Sequence, residues 1–239
     1  MFNSKYSNVL SMILVVLIVA ILGIVGYFGY DMLSSKAINS NAQTALEEFE
    51  KATTTIKRDT SNLKKKDEEE NKLENVTNPE ELLNSLKPEE EEPDSNVEEP
   101  AEPEKVYMEG YEVMGRIQIP KTKVDYPVLS PNAKRSLEIA VTIAYGPGLN
   151  EVGNTVIFGH NYRNGLFFSN NKKLAVGDKI LITDQKGETI TYEIYKMYET
   201  TPNDASYMKR DTEGKREISL QTCTDDSSGR IIIWARERE

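Results

Sequence analysis

The sequence predicts a mainly β protein, an eight-stranded β-barrel with short helices, preceded by a transmembrane helix and an extended or helical acidic stalk. Three observations predict it. An uncharged apolar run stands near the N-terminus, a long Glu- and Pro-rich stretch follows it, and the last 134 residues alternate short Val-, Ile-, Thr- and Tyr-rich runs with Gly or Pro. Charge is partitioned in the same way. Residues 1–105 carry 21 Asp and Glu against 11 Lys and Arg, whereas residues 106–239 carry 18 of each, so the whole net charge of −10 lies in the first part.

That partition excludes a nucleic-acid-binding domain, because phosphate contacts need a concentrated basic face. The single Cys and single His exclude an internal disulfide and a Cys/His zinc site.

The first element is Val9–Phe28, twenty residues without a charge. At about 1.5 Å per residue such a helix crosses the ~30 Å hydrocarbon core. It is longer than the apolar run of a cleaved signal peptide and passes into Gly26-Tyr27-Phe28-Gly29-Tyr30, an aromatic interface belt. Residues 1–30 are therefore read as a retained anchor. Lys5 precedes it and Asp31 and Lys36 follow, a slight bias toward a cytoplasmic N-terminus and an external C-terminal bulk.

Residues 31–105 read as the stalk. Phe49, Ile56 and Leu63 recur every seven residues, with Ala45, Ala52 and Leu73 in companion positions, but Asp59, Lys66 and Glu70 interrupt the seam. A solvated single helix suits this better than a coiled coil. The runs KKKDEEE, PEEEEPD and EEPAEPE that follow cannot bury enough apolar surface to fold. The stalk is then a spacer, or an acidic surface for a basic partner.

The domain from residue 106 onward can close one hydrophobic core. Its strands are expected at Glu112–Ile119, Lys123–Leu129, Thr142–Tyr145, Asn154–Gly159, Lys179–Thr183, Thr189–Tyr198, Glu217–Thr222 and Arg230–Ala235. Short helices fit Lys134–Ala140, Phe167–Leu174 and Asp204–Lys209. Many strands with few helices favour a closed barrel, which has no exposed edges.

Chemistry concentrates at strand ends. The lone His160 follows Thr155-Val156-Ile157-Phe158-Gly159, and the lone Cys223 follows Ile218-Ser219-Leu220-Gln221-Thr222. Arg230 opens the next strand after a six-residue loop, so hairpin geometry returns it beside Cys223. A thiol, an imidazole and a guanidinium on one rim suffice for acyl transfer. Taken singly, a buried structural Cys, a structural His and a surface Arg are the commoner readings.

These residues also resemble a known family. Leu220-Gln221-Thr222-Cys223 matches the Leu-x-Thr-Cys signature of the sortases, the membrane-anchored cysteine transpeptidases of Gram-positive bacteria, and Val156-Ile157-Phe158-Gly159-His160 matches their apolar strand ending in Gly-His. Gly146-Pro147-Gly148, Gly177-Asp178-Lys179-Ile180 and Arg230-Ile231-Ile232-Ile233 follow the same order over residues 110–239. The resemblance implies an eight-stranded sortase-type barrel, a single-pass plasma-membrane protein with its C-terminal domain outside the cell, and catalysis by Cys223 as nucleophile, His160 as acid and base, and Arg230 as oxyanion donor. Arg236 lacks the apolar run that follows the family's arginine.

The resemblance further implies secreted partner proteins that carry a Leu-Pro-x-Thr-Gly-type sorting signal, and a peptidoglycan-precursor amine as acceptor. Leu220 and Thr222 either line the signal-peptide groove or are plain core strand residues. Asn161 either orients the imidazole or caps a turn. Asp225 and Asp226 could raise the thiol pKa, bind a cation, or form a solvated turn. No cofactor or metal site is predicted, and calcium is left open. The short segment at Asn203–Met208 argues against class B, and the lack of an Asp-Pro pair and of a C-terminal apolar helix argues against the pilin-polymerising type. A thiol–imidazole pair predicts a bell-shaped pH–rate profile. The rival readings are a non-catalytic, membrane-anchored peptide- or wall-binding module and a hydrolysing cysteine peptidase.

Overall fold

The computed structural model describes residues 4–73 and 104–238. One helix, α1, runs from Ser4 to Leu73 without a break, 70 residues or about 105 Å. Its Val9–Phe28 portion is exposed all round, and an 18-residue window there reaches a mean hydropathy of 3.1. A helix apolar on every side and covered by no protein is built for lipid.

Beyond the span, α1 is no free stalk. Ala42, Ala45 and Phe49 are buried in the same core as the barrel, with Ile38 and Ala52 packed against its edge. Steps of four, three, four and three keep these five side chains on one stripe of the helix. The stripe lies on β1 (Tyr107–Met108), β2 (Tyr111–Ile119) and β3 (Val124–Ser130). Tyr126 Oη donates to Asn39 Oδ1 at 2.7 Å, and Arg116 pairs with both Glu50 and Asp125. The seven-residue recurrence thus has the barrel as its partner at Phe49. The side chains of Ile56 and Leu63, and the acidic segment 74–103, lie outside the described residues.

The remaining strands are β4 (Val141–Tyr145), β5 (Gly153–Phe158), β6 (Lys179–Asp184), β7 (Thr189–Thr200), β8 (Arg216–Cys223) and β9 (Arg230–Glu237). Their order is β1-β2-β3-β4-β5-β8-β9-β7-β6, and β6 pairs back onto β2, closing an eight-stranded barrel with the two-residue β1 at its margin. All eight expected strands are present. Alternation explains the core: Ile218 and Leu220 point inward with Ile231, Ile233 and Ala235 of the neighbouring strand.

Two of the expected helices differ. The first, α2, covers Lys134–Ile139 as expected. Phe167–Leu174 forms only one 3₁₀ turn at Asn171–Lys173, because Phe167 adopts a left-handed φ of 50° and makes a β-bridge to Asn161, sending Phe167 and Phe168 into the core. Asp204–Lys209 is a set of turns. Asp204 accepts hydrogen bonds from Thr200 Oγ1 and the Ser206 N–H, and local bonds of this kind compete with helix formation.

Candidate functional site

The site is assembled by three adjacent strand ends. β5 and β8 run parallel, and their last pair is Phe158 with Gln221. The Gly159 N–H continues the ladder to Gln221 O at 3.1 Å. Two residues further along each chain stand His160, just past the end of β5, and Cys223, the last residue of β8. On the other side of β8, Cys223 is the direct register partner of Arg230 on β9. Imidazole, thiol and guanidinium therefore follow one another across three neighbouring strands, and each is partly exposed. The backbone sets the three expected residues on neighbouring strand ends.

Glycine at 159 has a steric reason. A Cβ there would come within 2.5 Å of the Phe168 ring, so only glycine lets that ring pack directly beneath the turn into His160. The loop then folds back, with Phe168 N–H donating to His160 O at 3.1 Å. Tyr162 stacks at 4.8 Å from the imidazole. Half-burial pushes the His160 pKa below its ordinary value of 6.5, with the Glu138 carboxylate opposing weakly, so the neutral imidazole is favoured.

Asn161 caps a turn, and its side-chain hydrogen bonds among the described residues go to Arg163, Cys223 and Asp225, none to the imidazole. Its Oδ1 accepts from the Arg163 N–H at 3.1 Å, a turn cap. Its amide donates to Cys223 O and to Asp225 Oδ1, each at 3.0 Å, and so ties the histidine loop to the cysteine strand.

Leu220 and Thr222 alternate with Cys223 and point inward. Leu220 is fully buried in the core and Thr222 is 2% exposed, the arrangement of core strand residues. The Thr222 hydroxyl has no hydrogen-bond partner among the described residues. Asp225 and Asp226 form the turn. Lys172 and Asn161 hold Asp225 below the usual carboxylate range, and Thr224 and Ser228 hold Asp226 down to about 2. Among the described residues no three His, Cys, Asp or Glu side chains converge as a metal site would require.

An apolar floor lies beside the thiol, and sequence reasoning missed the part that Phe158 and Ile232 play in it. Phe158, Tyr198, Tyr207 and Ile232 form a second apolar cluster on the outer face, and the Tyr207 hydroxyl donates to Gln221 Oε1. Tyr198 and Ile232 are register partners, so the cluster begins one step behind Cys223 and Arg230. Its signal was the alternation itself, since each of these strands carries apolar residues on both faces.

Residues 117–238 match the sortase domain. The chain belongs to the sortase family. It is 32% identical over 145 residues to Sortase A of Bacillus anthracis, across 58% of this chain and 67% of that protein. Sortase A of Streptococcus agalactiae serotype III (strain NEM316) is 28% identical over 130 residues, and the match spans 52% of each chain, about half that relative's length. Among solved structures, a lid mutant of Sortase A from Corynebacterium diphtheriae aligns with a TM-score of 0.50 at 29% identity, over 54% of this chain and 72% of that one. Membership makes this sortase a cysteine transpeptidase on a barrel scaffold, with an N-terminal helix suited to membrane anchoring.

Proposed function

We propose that this sortase cleaves a C-terminal sorting signal of Leu-Pro-x-Thr-Gly type and transfers the protein to a cell-wall amine, with Cys223, His160 and Arg230 as its catalytic residues. The observation that carries the reading is the register pair Cys223–Arg230 with His160 on the adjacent strand end. The apolar floor of Phe158, Tyr198 and Ile232 suits the Leu-Pro part of such a signal. Family membership supports the substrate class, and the anchor supports a plasma-membrane protein whose barrel faces outward.

The chemistry follows from the groups present. The Cys223 thiolate attacks the threonine carbonyl carbon, and Arg230 donates hydrogen bonds to the resulting oxyanion. The C–N bond breaks as the His160 imidazolium gives its proton to the leaving glycine amine, which leaves a thioester on Sγ. An incoming amine attacks that carbonyl, passes its proton to His160, and expels the Cys223 thiolate as the new amide forms. Burial of His160 favours the neutral imidazole over the imidazolium that must donate the proton.

The test uses the full chain in detergent with Leu-Pro-x-Thr-Gly peptides, with and without a glycyl amine, read by mass spectrometry. An acyl adduct on Cys223 and an amide product support the proposal. No adduct across a broad peptide set overturns it, and an adduct released only to water makes the protein a hydrolysing peptidase.

A further inference from the structure

The apolar floor of Phe158, Tyr198 and Ile232 does not end in open surface. On β5, Val156 and then Asn154 precede Phe158 on the same outer face, while Ile157 between them points into the core. Asn154 is 6% exposed and acts as a hub. Its amide donates to Tyr207 O at 3.1 Å and Met208 O at 2.9 Å, and its Oδ1 accepts from Ser219 Oγ at 2.8 Å and Arg210 Nη2 at 2.9 Å. These bonds pin residues 207–210 onto β5 and β8 beside a cavity of about 810 Å³, whose lining includes Tyr145, Asn154, Met208, Lys209 and Arg210. Met208 also packs against the apolar cluster, so floor and cavity share a side chain and adjoin.

Charge and distance say what this cavity takes. Its lining contains two cations, Lys209 and Arg210, and no carboxylate. Arg210 is committed to the fold, since its Nη atoms are engaged by Glu217, Tyr195, Asn154 and Ser219. Glu217 is shared with Arg236, so two guanidiniums face one carboxylate and the wall stays positive. Lys209 is exposed and makes no ion pair among the described residues, and the neighbouring Asp211 carboxylate is engaged by the Glu213 N–H at 2.8 Å. Ser219 lies four residues before Cys223 on β8, about 13 Å along the strand. An extended donor with its threonine carbonyl at Cys223 places the residue before Leu at the same distance, four steps of about 3.3 Å. We infer that this cavity is a subsite for the residues preceding the Leu-Pro of the donor, and that Lys209 selects acidic side chains there. The inference deepens the transpeptidase reading above and rests on it for the direction in which the donor lies.

The test compares, on the full chain in detergent, peptides with one Leu-Pro-x-Thr-Gly core preceded by Glu-Glu, Ser-Ser or Lys-Lys. At low salt kcat/KM should be about tenfold higher for Glu-Glu than for Lys-Lys, with Ser-Ser between, and the spread should shrink as salt screens exposed charges. Lys209→Glu should invert the order. Each protein is judged by a ratio between peptides, so a general loss of activity does not imitate the result. Equal kcat/KM for all three, or an order that survives Lys209→Glu, overturns the subsite. Location is read on Cys223→Ala, where a benzophenone side chain at the residue before Leu should cross-link to Tyr145 or to residues 207–210; cross-links only elsewhere overturn it. No turnover of any peptide by the unmodified chain defeats the transpeptidase reading instead. The subsite is then decided by the affinities of the same peptides for Cys223→Ala, read by fluorescence anisotropy with and without Lys209→Glu. The same order and inversion are expected, and equal affinities overturn it.

Discussion

Cys223 and Arg230 are the last register pair of the β8–β9 ladder, directly opposite each other across a hairpin whose turn, Thr224–Gly229, is closed by bonds between Thr224 and Gly229. One Arg230 Nη1 proton is already held by Gly229 O at 2.9 Å, which pins the guanidinium at the rim. A planar fork is thereby fixed beside the sulfur.

Arg230→Lys should therefore not be conservative, because an ammonium lacks the fork that can hold Gly229 O and an oxyanion together. We expect transfer to fall by about 10²–10³-fold, the usual loss when one oxyanion donor is removed. Alkylation of Cys223 by a small thiol reagent should persist, since the strand end is unchanged. Near-normal kcat/KM for Arg230→Lys in a peptide-transfer assay would refute the oxyanion role.

The depressed His160 pKa has a consequence for stability with a definite sign. The unfolded chain takes up a proton near pH 6.5, while burial makes the folded protein resist it until a lower pH. The stabilisation is present above the unfolded value and is lost as pH falls through the folded one. Urea midpoints at about pH 7.5 and about pH 5.5 should thus differ more for the unmodified protein than for His160→Asn. Identical pH shifts in the two proteins would show that His160 is not desolvated.

How much of this was legible beforehand depends on the range of the interaction. The strands could be read because alternation and Gly or Pro punctuation are local, and the Cys223–Arg230 pair because a hairpin makes it local. His160 beside Cys223 needs the parallel β5–β8 pairing, 63 residues apart in the chain, which spacing cannot prove and the family motifs supplied. The stripe of Ala45, Phe49 and Ala52 was visible as a seam, but nothing local says what fills it. Its partner is a part of the barrel assembled from residues 107–130. Helices at Phe167–Leu174 and Asp204–Lys209 failed for the converse reason, since a left-handed Phe167 and the capping bonds of Asp204 outweigh weak helical patterns.

Docking of α1 predicts a cost for a single ring. Phe49 is 3% exposed within the barrel's core cluster, and Phe49→Ala removes about 3–5 kcal/mol of packing by comparison with other buried phenylalanines. Since Phe49 is the largest side chain on the docked face, which otherwise buries Leu46, Ala42 and Ala45 with Ile38 and Ala52 at its edge, the helix should detach locally before the barrel melts. Limited proteolysis of the full chain in detergent should cut Phe49→Ala within residues 36–58 much faster than the unmodified protein. Equal cleavage rates would mean that the ring does not hold the helix.

The far end of β8 depends on one carboxylate. Glu217 has a fully buried side chain and is held by Arg210, Arg236 and the Tyr195 hydroxyl. Burial alone would raise its pKa, but these three donors overcome it and leave the group below the ordinary 4.5, while Tyr195 is pushed up to about 12. Removing the carboxylate in Glu217→Ala strands Arg210, whose side chain is 10% exposed, and should cost about 3–5 kcal/mol. Glu217→Gln keeps the shape and some of the bonds and should cost less. The unmodified protein should lose this contribution only as pH falls from about 4.5 through the lower folded value, a loss absent from Glu217→Gln. Thermal melts of the three proteins at neutral pH and below pH 4.5 measure it. An unfolding curve for Glu217→Ala that overlays the unmodified one would mean that the buried cluster is dispensable to the barrel.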